Sequence, residues 1–190
     1  MFNGDEIKML ESLGGLLDVL GYYFKEEMWI HSFVYSMMAE YYSKSGHGEE
    51  AKKFMECSYQ IVNHHFGVRS LELAEAMIEK ASIELNLKEP EACIKTIEEA
   101  LKIYKSSSKH SLKIVECLSI IGKAKIISNN KETGKELIDR CIADYLKLEQ
   151  PKEAMNLYFF LLDLGTDGTE GERDKNLEVA LLLFRDTWKK

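Results

Sequence analysis

The side chains best suited to bind a metal or attack a substrate are two adjacent histidines, four cysteines and one acidic loop. Neighbouring residues on a helix point about 100° apart, so His64 and His65 diverge. No Asp, Glu or Cys stands four residues from either to complete a ligand set. His31, His47 and His110 are single and fall near predicted helix ends, where capping or solvent contact is expected. Cys57, Cys93, Cys117 and Cys141 form no C-x-x-C pair, and each lies among apolar residues of a predicted helix. They are expected to be buried free thiols of a reducing compartment. The loop from Asp167 to Asp174 is acidic and glycine-rich but lacks the D-x-D-x-D-G order of a calcium loop, so a solvated loop is expected. No G-x-S-x-G, phosphate-binding glycine loop or H-E-x-x-H occurs. The expectation is a protein without catalytic, metal or cofactor residues.

What elements, then, does this chain build? Its 190 residues carry 25 Lys and Arg against 32 Asp and Glu, a net charge of −7. Such a chain is repelled by phosphate backbones, so no nucleic-acid partner is expected. No run of 18 apolar residues exists, and the acidic start Met1-Phe2-Asn3-Gly4-Asp5-Glu6 is unlike a signal peptide. A cytoplasmic or nuclear protein with no membrane partner is expected. Strand-like alternation is missing, and the two prolines, Pro90 and Pro151, both sit at predicted helix starts. Helices are predicted over about 5–24, 27–46, 48–65, 71–87, 90–105, 111–128, 131–148, 151–164 and 173–188.

A repeat is written across these helices in small residues. Ala39, Ala51 and Ser58 are followed by Ala81, Cys93 and Ala100, then by Gly122, Gly134 and Cys141. Each triplet is spaced 12 and then 7 residues, and successive triplets are shifted by 42 and then 41. Self-similarity at such a period marks stacked helical hairpins, with small residues where helices cross closely. Bulkier residues fill the layers between: Tyr35, Met77 and Leu118 on the first helices, Met55, Ile97 and Ile138 on the second.

The triplets resemble tetratricopeptide repeats. Repeat one carries the fullest pattern, Ala39-x-x-Tyr42-x-x-x-Gly46-x-x-x-x-Ala51, whereas Glu84 and Lys125 replace the usual tyrosine in repeats two and three. The long period is similar to that of kinesin light chains and bacterial regulatory solenoids. A narrower resemblance, Phe66-Gly67-x-x-Ser70-x-Glu72-Leu73-Ala74 with Glu79-Lys80-Ala81, Glu91-Ala92 and Thr96-Ile97-x-x-Ala100, is to the C-terminal lobe of SET/MYND lysine methyltransferases, whose catalytic part is absent. The resemblance implies an all-α, right-handed superhelix of antiparallel helix pairs. One domain over 1–190 is expected, with an opening helix (about 5–24), repeats over about 27–66, 69–106 and 110–148, and a closing pair over 151–190.

In that arrangement the first helices line a groove. Its candidate residues are Phe33, Ser36, Glu40, Ser43 and Lys44; Glu75, Ile78, Ser82, Leu85 and Asn86; and Glu116, Ser119, Lys123, Ile126 and Ile127. The expected partner is a protein or peptide segment bound without catalysis. Ser36 and Glu40 stand where the carboxylate-clamp members of the family need Lys and Asn, and Glu75 and Glu116 add repulsion, so an acidic C-terminus is disfavoured. The alternatives are a regulatory or pseudo-enzyme lobe of SET/MYND type and a bacterial-type sensor of peptides or small molecules. Tyr22, Tyr23, Phe24 and Trp29 are expected to form an apolar knot, with a homodimer surface as the alternative. The same question applies to Phe184 and Trp188.

Overall fold

The structure, a computed structural model, describes residues 4–23, 28–106, 110–163 and 170–187. Among them are nine α-helices, one short 3-10 turn and no strand. The chain divides into two compact units, residues 1–107 and 108–190.

The first unit holds α1 (Gly4–Tyr23), the 3-10 turn Met28–Ile30, α2 (His31–Lys44), α3 (Gly48–Phe66), α4 (Leu71–Asn86) and α5 (Pro90–Lys105). The second holds α6 (Ser111–Ile127), α7 (Lys131–Lys147), α8 (Pro151–Asp163) and α9 (Glu170–Thr187). The pairs α2/α3, α4/α5 and α6/α7 make the closest helix–helix contacts. Local chemistry marks the helix starts. The Ser70 hydroxyl accepts from the Leu73 N–H at 3.0 Å, and Pro90 and Pro151 open α5 and α8, where a missing N–H costs nothing.

Two boundaries differ from expectation. The second helix, expected from about Glu27, which lies outside the described residues, begins as an α-helix only at His31, after the 3-10 turn Met28–Ile30. The last helix begins at Glu170 rather than Arg173, taking up part of the expected acidic loop. Residues 164–169, which include the start of that loop, lie outside the described residues, as do Phe24 and Trp188.

Every member of the three triplets is buried. The tightest crossing joins α6 to α7. A Cβ on Gly134 would lie 2.6 Å from Ile126 Cγ1 and 2.8 Å from the Gly122 carbonyl oxygen, and one on Gly122 would lie 2.9 Å from Ile138 Cγ1. In repeat one Ser58 takes the third position, and its hydroxyl donates across the pair to the Ser32 carbonyl at 2.9 Å.

The turns recur as faithfully as the crossings. Gly46, Lys88, Asn129 and Glu149 follow α2, α4, α6 and α7, each with positive φ between 57° and 79°. The next N–H then reaches back to the helix: His47 to Tyr42, Glu89 to Glu84, Asn130 to Lys125 and Gln150 to Tyr145, each at 2.9 Å. This is the Schellman pattern, and three of its four left-handed positions hold residues other than glycine. The cores are local: Leu13, Leu20, Val34 and Met38 join α1 to α2, while Ile138, Tyr145, Leu157 and Leu161 anchor α7 and α8.

The cysteines divide. Cys93, Cys117 and Cys141 are buried, but Cys57 is exposed, contrary to the expectation that all four are core residues. It lies one residue before Ser58, which faces α2, so the helical turn carries Cys57 outward. Burial pushes the other three thiols up to about 12.

Candidate peptide-binding face

On the first unit, α2 and α4 lie side by side and share one face. At one end of it the chain turns through Trp29 into α2, while α3 finishes at Phe66. Trp29 meets Phe33 edge-on at 6.1 Å and Phe66 at 5.9 Å between ring centres, and His65 lies tilted against Trp29 at 6.1 Å. The rings of Trp29, Phe33 and Phe66 form one wall of a cavity of about 100 Å³. The opposite wall is a stripe of α4, Glu72, Glu75 and Glu79, at positions i, i+3 and i+7. All three residues are exposed. Ser32, Ser58, Val62 and Ala76 close the floor, and among the described residues no Lys or Arg lines the cavity. The Ser36 hydroxyl donates to Glu79, tying α2 to the acidic stripe.

Of the candidate groove residues, Phe33 and Glu75 therefore line one cavity, and Ser36 reaches it through Glu79. Phe33 is 60% exposed. Glu40 and Lys44, further along α2, pair with each other at 2.6 Å. Ser43 is buried; Asn86 is exposed; Leu85 is half-buried; the Ser82 hydroxyl donates to the Ile78 carbonyl of its own helix. Ile78 itself is buried at 6% exposure.

The second unit uses its candidates differently. Ile126 is buried against Gly134, inside the α6/α7 pair rather than on an open face. Ser119 is buried and bonded to the Glu116 carbonyl at 2.8 Å, while Glu116 pairs with Lys113 at 3.1 Å. The Lys123 ammonium lies 5.3 Å over the Phe160 ring of α8, and burial lowers its pKa. Ile127 is half-buried at the helix end. Here α8 already occupies part of the α6 face.

Trp29, Phe66, Glu72 and Glu79 were not expected at the site. The glutamate stripe is legible as an i, i+3, i+7 pattern. The rings are not, because Trp29 and Phe66 come from a turn and a helix end with no common period. Nor do Tyr22 and Tyr23 join Trp29 in a knot: they stack edge-on with each other at 4.9 Å and are largely exposed.

A larger cleft, about 630 Å³, opens on the other side of α4, between α3 and the start of α5. Met55 and Ile83 floor it, and Cys57 and Gln60 lie on its α3 wall. Four of its charged groups pair with each other, Lys52 with Glu89 at 2.5 Å and Lys80 with Glu56 at 3.0 Å, while Lys53 and Glu84 also line it. Lys80 also lies 4.7 Å over the Tyr59 ring, and its bond to Glu56 lowers that carboxyl's pKa. Among the described residues no helix is long and apolar enough to cross a membrane.

No family model and no curated protein sequence matches the chain. Solved structures do. Aspartyl phosphate phosphatase F from Bacillus subtilis is similar over 85% of this chain, with a TM-score of 0.66 at 16% identity. This chain spans only 42% of that protein. A putative kinesin light chain of nearly identical TPR-like repeats from Podosopora anserina is similar over 99% of this chain and 91% of its own, with a TM-score of 0.64 at 14% identity. A singly substituted form of that protein gives 0.66 at the same identity. At these identities the likeness concerns the fold, and the fold is an all-α, TPR-like helical repeat.

Proposed function

We propose that this chain is a protein-interaction scaffold that binds a peptide or helix of a partner on the α2/α4 face, without catalysis. The TPR-like fold supports an interaction role in general. The observation that carries the location is the open cavity between Trp29, Phe33, Phe66 and the α4 glutamates, where an aromatic surface meets a row of carboxylates and, among the described residues, no Lys or Arg joins the lining. In the larger cleft Lys52 and Lys80 already hold Glu89 and Glu56, so these groups offer a charged ligand less to gain.

The test is selection of random dodecapeptides, displayed on phage, against the immobilised chain. Recurrent sequences are expected, and their binding should fall at least about tenfold in Phe33→Asp with helicity unchanged. Failure to enrich any sequence, or equal binding to Phe33→Asp, would refute the reading.

A second reading is supported by the likeness to the Bacillus phosphatase: a regulatory solenoid of bacterial type that acts on an aspartyl phosphate. Loss of phosphate from an aspartyl-phosphorylated protein on addition of this chain would favour it and end the non-catalytic part of the first reading.

A further inference from the structure

The cavity on the α2/α4 face has a size and a lining that specify what enters it. Sites for whole small molecules usually measure about 300–1,000 Å³. At about 100 Å³ this one admits the head of a single side chain. One wall is aromatic: Trp29, Phe33 and Phe66, with the two phenylalanine ring centres 5.9–6.1 Å from that of Trp29. The faces of such rings attract cations, tryptophan most strongly. The other wall carries Glu72, Glu75 and Glu79 within two helical turns, and among the described residues no Lys or Arg lines the space between.

Resting on the scaffold reading above, we infer that this cavity receives a basic side chain, arginine above lysine, from a segment of a partner protein. Arginine fits both walls. Its planar guanidinium stacks on an aromatic ring while its N–H fork bonds carboxylates, whereas an ammonium offers only a compact charge. The apolar wall then requires an apolar neighbour in the partner segment, to cover Phe33. An acidic or C-terminal carboxylate ligand is excluded by the same stripe.

The dodecapeptide selection tests this by composition. Enriched peptides should share an Arg or Lys flanked by apolar residues. The best of them, synthesised, should lose at least about tenfold in affinity when that Arg becomes Gln and less when it becomes Lys. The protein variant Glu72→Gln/Glu79→Gln, which keeps size and removes charge, should lose the preference for basic peptides, and added salt should weaken wild-type binding. If enriched peptides carry no basic residue, or if their Arg→Gln forms bind the wild type equally well, the inference fails while the scaffold reading stands. If nothing is enriched, the scaffold reading itself fails. A concentration-dependent dimer that Phe33→Asp abolishes, with no peptide enriched, would assign the face to a second copy of this chain instead.

Discussion

Glu84 takes the position that Tyr42 holds one repeat earlier, and its neighbour changes with it. In repeat one Tyr42 stacks on Phe54 at 5.3 Å, nearly parallel. The equivalents in repeat two are Glu84 and Thr96, joined by a hydrogen bond instead. The exchange leaves a carboxylate half-buried beside apolar packing. Its Oε2 is enclosed with no hydrogen-bond partner, and burial raises its pKa from 4.5, with Glu89 adding to the rise and Lys80 and Lys52 opposing it. A carboxyl whose folded pKa is raised holds its proton more tightly in the native state, so its contribution declines as pH rises from 4.5 through the folded value. Glu84→Gln should therefore stabilise the fold at pH 7 by about 0.5–1 kcal/mol and make no gain near pH 4, as read by urea melts at both pH values. Equal stability of the two proteins at pH 7 would refute this. Glu56 works in the opposite sense: lowered by Lys80, its contribution is present above 4.5 and is lost as the pH falls. Glu84 was legible as a departure from the repeat; its burial was not, because that depends on how far the longer hairpin closes over it. At the candidate face, Phe33 and Glu75 were legible from their places on the first helices. Trp29 and Phe66 were not, since only the tertiary fold brings a turn and a helix end together.

At the scale of elements, the small-residue spacing was the most readable signal in the chain, because close crossing leaves little choice of side chain. Gly134 shows the limit. Its absent Cβ leaves room for the Gly122 carbonyl and the Ile126 side chain, and the backbone carbonyl cannot retreat. Gly134→Ala gains helix propensity of about 1 kcal/mol but overpacks the crossing. The net result should be a loss of about 1–2 kcal/mol, read as a lower urea midpoint; a midpoint at or above wild type would show that α6 and α7 can part cheaply. The turns were half-readable. Gly46 announces a left-handed stop, whereas Lys88 and Glu149 adopt the same conformation without any compositional sign. There the backbone hydrogen bonds and the fixed helix length impose the geometry on an unfavoured residue.

At the scale of the whole molecule, composition spoke to class and to the sign of the charge, and the helical repeat followed from periodicity. Cavity size alone does not mark the candidate face: the larger cleft holds the Lys52–Glu89 and Lys80–Glu56 pairs in its lining, and among the described residues no Lys or Arg lines the smaller pocket. The division into two units gives the cysteines a further meaning. Cys93 lies at a helix crossing in the first unit, and Cys117 and Cys141 are buried in the second, while Cys57 stands outside. Each enclosed thiol can meet a reagent only when its own hairpin breathes, so its labelling rate is a clock for that event. A thiol-specific dye should modify Cys57 within seconds and the other three far more slowly, with mass spectrometry of the digested protein separating the sites; rapid labelling of Cys93 or Cys141 would contradict their enclosure. A bound peptide that slows the clock at Cys93 but leaves Cys141 untouched would show, without any added probe, which half of the chain the partner steadies.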